Sequence, residues 1–145
     1  MRIRLTAGLL LLLVLSGCFK APRNDTVTPG VGLTVVIVED ETRQEPLSSG
    51  YLVATGSAAV EEYAASKCAK GADGKTPEFK KYKKGTDVSM QSPVVQKLHK
   101  EVVQKMDKAG GKDPYIGIQA GRKSAVGPCP EGEENMLKLL KKYGG

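Results

Sequence analysis

Few side chains in this sequence could do chemistry: three cysteines, one histidine and some grouped carboxylates. A thiol acts as nucleophile or redox centre only as the thiolate, which a helix N-terminus, a basic neighbour or a second thiol favours. Cys129 lies in Gly127-Pro128-Cys129-Pro130, just ahead of a predicted helix, so a helix N-terminus would lower its pKa. Glu131, Glu133 and Glu134 crowd the same end and act the other way. Cys68, in Lys67-Cys68-Ala69-Lys70, reads as a small packing residue or a partly exposed thiol. His99 is the only histidine. Alone it makes neither a zinc site nor the base of a Ser or Cys triad, and it reads as a surface or boundary residue. Glu39, Asp40 and Glu41 could attract a cation, but the ligand spacing of a calcium loop is absent, so an acidic turn at a strand end is the better reading. No Gly-rich phosphate loop follows the first predicted strand. No cofactor is implied.

The third cysteine, Cys18, has a different setting. Arg2 and Arg4 precede an apolar run, Ala7 to Leu15, which is closed by Leu15-Ser16-Gly17-Cys18. Basic residues followed by a short apolar core have the make-up of a signal peptide, and the core is shorter than the ~20 residues a spanning helix needs. Leucine, two small residues and cysteine resemble the processing signal of bacterial lipoproteins. That resemblance implies removal of residues 1–17, a diacylglyceryl thioether on Cys18 and an acyl chain on its amine. Two or more chains anchor a protein stably where one binds only marginally. Phe19, rather than the aspartate that marks inner-membrane retention in enteric bacteria, favours the outer membrane. The implied location is the cell envelope, with the domain facing the periplasm or the exterior.

The charge of +6 includes Arg2 and Arg4, so the mature part carries about +4. Lys80, Lys81, Lys83 and Lys84 form the densest basic run. An exported location argues against nucleic acid as its partner, and a solvated, edge-blunting strand face is the simpler reading. Tryptophan is absent and aromatics are few, so a base- or sugar-stacking platform lacks its residues. In an oxidising compartment the pair Cys68 and Cys129 would by default form a disulfide.

Residues 18–30 carry Pro22, Pro29 and Gly30 with no apolar period and read as a flexible tether. The run Leu33 to Val38 is β-branched and almost continuously apolar, as in a strand buried on both faces. Residues 42–55 are interrupted by Pro46 and Gly50 and read as irregular or partly helical. Ser57 caps a helix to about Lys67. Residues 77–84 give a weak strand. Ser92-Pro93 opens an amphipathic helix lined by Val94, Val95, Leu98, Val102 and Met106, which Gly110-Gly111 stops. After Asp113-Pro114 come a strand at 115–119, a Gly121 turn, a short strand at 124–127 and a last amphipathic helix around Met136 to Tyr143.

This order, with proline directly before the third strand, resembles the thioredoxin fold. The expectation is an α/β domain over residues 31–145, with a central mixed sheet of about four strands flanked by helices. In the family, the proline at the position of Pro114 is usually cis and borders the substrate site. The family's redox members carry Cys-x-x-Cys after the first central strand, whereas here Glu39 to Gln44 holds no cysteine. The resemblance further implies that Cys68 and Cys129 lie at opposite ends of the sheet. Their separation is then on the order of a helix length, 15–20 Å, too far for a disulfide, which needs Cα atoms within about 7 Å. The sequence thus reads as an anchored, redox-inactive protein- or peptide-binding module. Its groove is expected at Glu39, Asp40, Glu41, Pro114 and Cys129. The alternatives are a monothiol redox protein acting through Cys129 and a structural surface lipoprotein.

Overall fold

The apolar run Leu33 to Val38 becomes the most buried strand. A computed structural model describes residues 32–145; the expected signal segment, Cys18 and the expected tether lie outside the described residues. β1 (Leu33–Glu39) is buried from Leu33 to Val38. α1 (Ser49–Gly56) and α2 (Ala58–Lys67) follow, then β2 (Phe79–Lys83), α3 (Pro93–Ala109), β3 (Tyr115–Ala120), β4 (Lys123–Pro128) and α4 (Glu133–Gly144). The strands form one mixed sheet in the order β2-β1-β3-β4. β1 runs parallel to β2 and antiparallel to β3, and β3 pairs antiparallel with β4. The domain is therefore α/β, a four-stranded mixed sheet with helices on both faces.

The period of two along a strand divides β1 between two cores. Leu33, Val35 and Ile37 meet Tyr51, Ala54, Val60, Ala64, Met136 and Leu140 of α1, α2 and α4. Val36 and Val38 meet Val94, Val95, Leu98, Val102 and Met106 of α3. This double covering explains why the run lacks polar alternation. α3 lies close to the sheet because β3 carries Gly117, where a Cβ would stand 2.7 Å from Val102 Cγ2 and 3.4 Å from Leu98 Cδ2. Leu98 is fully buried, so Leu98→Ala is expected to cost about 2–5 kcal/mol. The check is a lowered urea midpoint with an unchanged slope.

The helix ends follow their capping residues. The Ser92 hydroxyl accepts the Val95 N–H ahead of Pro93, and Gly110 closes α3 at φ 68°. Ser57 both ends α1 and caps α2, accepting the Val60 N–H. The lysine run occupies β2, an edge strand, where charge discourages pairing with other chains. His99, expected at the surface or its boundary, is buried instead. Its ring meets Tyr82 edge-on at 5.7 Å, so the polar ring packs as part of the β2–α3 contact.

The topology separates the two remaining cysteines. Cys68 bridges Leu33 at the start of β1. Cys129 lies beyond β4, and its N–H donates to the Pro114 carbonyl at 2.9 Å, at the end where β1 finishes. Both thiols are free. One family expectation is corrected: the Asp113–Pro114 peptide is trans, as are all peptides among the described residues.

Candidate functional site

Three of the five expected groove residues come together at the C-terminal end of β1, and two turn away. Glu39 ends β1, Pro114 precedes β3 and Cys129 follows β4, so the register brings these positions to one edge of the sheet. Asp40 and Glu41 belong to the turn rather than to the groove. Asp40 accepts from the backbone N–H and hydroxyl of Thr42. Glu41 accepts the Gly85 N–H at 3.1 Å, which tacks the turn to the end of β2. Neither carboxylate lines the Pro114 pocket.

The pocket holds about 200 Å³ and is completed by residues of the 42–51 segment. Tyr51, near the start of α1, donates its hydroxyl to Glu39 Oε1 at 2.6 Å, and the Lys83 ammonium sits on the other Glu39 oxygen. The Ser48 hydroxyl accepts the Tyr51 N–H at 3.1 Å and donates to the Glu131 carboxylate. Gly50 lets the starts of α1 and α4 close on each other: its carbonyl accepts the Gly132 N–H at 2.9 Å, and a Cβ would stand 2.9 Å from the Glu131 Cβ. Arg43 spans the mouth. It donates to the Asp113 carboxylate at 2.7 Å and to the Glu45 carbonyl at 3.0 Å, with Lys112 O at 3.4 Å. The stretch just before Pro114 is therefore already engaged by the chain itself.

Electrostatics keep this pocket chemically quiet. Burial pushes the Cys129 thiol from 9.0 up to about 12, with the Glu39 charge adding to it and Lys81 opposing. Burial and the bond to Glu39 also push Tyr51 well above the usual phenol range. Burial alone would raise Glu39, but hydrogen bonds from Lys83 and Tyr51 outweigh it and leave the carboxyl below its ordinary value. The pocket thus holds a fixed carboxylate, a neutral phenol and a neutral thiol. A nucleophilic thiolate needs the opposite surroundings. At the far end of the molecule, burial likewise raises Cys68 from 9.0 to about 11.

A second concavity, of about 890 Å³, opens at that far end, between the 69–73 loop, Thr34 and the start of α3. Its floor carries Glu78, only 5% exposed. This carboxylate accepts the Ser92 hydroxyl at 3.2 Å and faces Lys80 at 3.7 Å. The cleft is the larger of the two, and its hydroxyl–carboxylate contact, Ser92 to Glu78, joins the cap of α3 to the residue just before β2. No cluster of three or more metal-binding side chains occurs among the described residues, and no described helix is long and apolar enough to cross a membrane.

The sequence reading missed Ser48, Tyr51 and Arg43. A signal for the first two was present. Ser48 stands ahead of Tyr51, Ala54 and Thr55, whose spacing gives α1 its buried side, but Gly50 obscured the start. Nothing in the sequence marked Arg43, whose carboxylate partner Asp113 lies 70 positions away. The chain matches no protein-family model, no curated protein and no solved structure.

Proposed function

We propose that this chain is a bacterial envelope lipoprotein anchored through Cys18, whose domain is a thioredoxin-like binding module without redox chemistry. Support for the fold comes from its connectivity. Two parallel strands joined by helices, an antiparallel hairpin and a closing helix, in the order β2-β1-β3-β4, are the arrangement the resemblance leads one to expect. The observation that carries the non-enzymatic reading is the start of the helix after β1. It reads Ser48-Ser49-Gly50-Tyr51, where redox members of the family carry their cysteines. Ser48 is a cap there, committed to Tyr51 and Glu131. The neighbouring Cys129 is held protonated by burial and by Glu39, and no observation favours the monothiol alternative.

A partner would dock beside the pocket rather than inside it, because Arg43 holds the stretch before Pro114. The α1 surface next to Ser48 presents Leu52 and Val53, 54% and 50% exposed. Apolar side chains left outside on an otherwise polar shell suit a protein partner. Substitution of Leu52 and Val53 by aspartate is expected to remove the crosslinked adducts that the wild-type protein forms in intact envelopes, while the melting temperature stays unchanged. An unaltered adduct pattern would eliminate α1 as the docking surface. Glu39→Lys and Glu41→Lys would be poor probes, since both carboxylates hold the turn together.

A further inference from the structure

We infer that the domain is electrically polarised, and that its basic pole rests on anionic phospholipid headgroups of the membrane that anchors it. The inference rests on the lipoprotein reading above for its orientation. The described chain begins at Gly32, against Cys68 and Ala69, at the end of the sheet where Leu33 pairs with Ala120. The stretch from Cys18 to this point spans at most ~50 Å when fully extended, so this is the tethered end. The fold gathers cations there from four separate segments. Lys67 closes α2, Lys70 follows Cys68, Arg122 and Lys123 make the turn between β3 and β4, and Lys141 and Lys142 lie in the last turn of α4. All six are exposed, and none forms an ion pair with a carboxylate among the described residues. The opposing charges at this end include Asp73 and the buried Glu78.

The other end of the sheet has a different character. Glu39, Asp40, Asp113, Glu131, Glu133 and Glu134 gather there with Glu41 and Asp107; Arg43 pairs with Asp113, Lys83 with Glu39 and Lys84 with Asp107, while Lys81, Lys105, Lys108 and Lys112 have no ion pair among the described residues. Carboxylates and cations are thus mixed at that end, whereas cations outnumber carboxylates at the tethered end. Basic residues held near an anionic bilayer add attraction that falls off within a Debye length. Lys67, Lys141 and Lys142 also suit the C-terminal ends of their helices, but Arg122 and Lys123 sit in a strand turn where no helix dipole calls for them.

The test uses the mature-length chain from residue 18 with Cys18→Ser, so that binding does not depend on lipid and failure of the anchor reading is scored separately. Sedimentation with vesicles of phosphatidylcholine containing phosphatidylglycerol as the minor component is compared with pure phosphatidylcholine. Binding is expected only to the anionic vesicles and should weaken as salt rises. The variant Lys67→Glu/Arg122→Glu/Lys142→Glu is expected to lose about tenfold or more in partitioning. The pair Arg122→Glu/Lys123→Glu, which leaves the helix ends intact, should show a smaller loss in the same direction. Lys105→Glu/Lys108→Glu, near the end of α3 at the opposite end of the sheet, should bind like wild type. Equal binding to neutral vesicles, no binding to either, or an equal loss in the Lys105/Lys108 variant would each overturn the inference.

Discussion

Cys18→Ala is expected to move the whole protein out of the membrane fraction or leave it unprocessed, with no incorporation of labelled palmitate. The reason is physical as well as sequence-based. No described helix can span a bilayer, and a basic pole held by charge alone releases as salt rises. On the lipoprotein reading proposed above, stable attachment comes from the lipid chains, which each contribute about 0.8 kcal/mol per buried methylene. Wild type should stay with the membrane in high salt and carry a blocked, lipidated N-terminal cysteine by mass spectrometry. A variant that still fractionates with membranes in high salt would show another mode of attachment.

Alkaline loss of stability is the second large effect. Cys68 and Cys129 have folded pKa values raised from 9.0 to about 11 and about 12, and Tyr51 moves in the same direction. A raised value means that the folded state keeps protons which the unfolded chain releases. The associated stability is therefore complete below pH 9 and is lost as pH rises through 11 and 12. Since each tenfold change in proton affinity is worth about 1.4 kcal/mol, burial of the two thiols makes the decline several kcal/mol in order of magnitude. Urea midpoints should fall steeply above pH 9. Cys68→Ser/Cys129→Ser should flatten part of that fall, leaving the share due to Tyr51. A midpoint that stays level across this range would mean that the thiols are not buried as described.

Both effects concern residues that the sequence made visible to different degrees. β1 and α3 could be read because burial on both faces and on one stripe leave plain patterns, a continuous β-branched run and apolar residues at helical spacing. The opposite placement of the two cysteines was what the resemblance to the thioredoxin fold implied. α1 was harder to read because it is short and its apolar residues lie on both sides, Tyr51 and Ala54 inward, Leu52 and Val53 outward, which erases the period. The directions of Asp40 and Glu41 could not be read either. Neighbours in a turn face different ways, and what decides between them is a donor such as the Gly85 N–H, distant in sequence. Arg43 likewise found Asp113 only through the fold. The site is thus mostly assembled from contacts that local pattern does not encode.

The central claim is that the α/β domain uses its thiols for packing and not for chemistry. Its most direct test is the thiolate absorbance of the folded mature-length Cys18→Ser chain, followed against pH. The account predicts no thiolate signal below pH 9 and ionisation only toward pH 11 to 12, together with the loss of structure. A titration step from one thiol at or below the ordinary range of about 8.5, with the domain still folded, would contradict it and restore Cys129 as a redox residue.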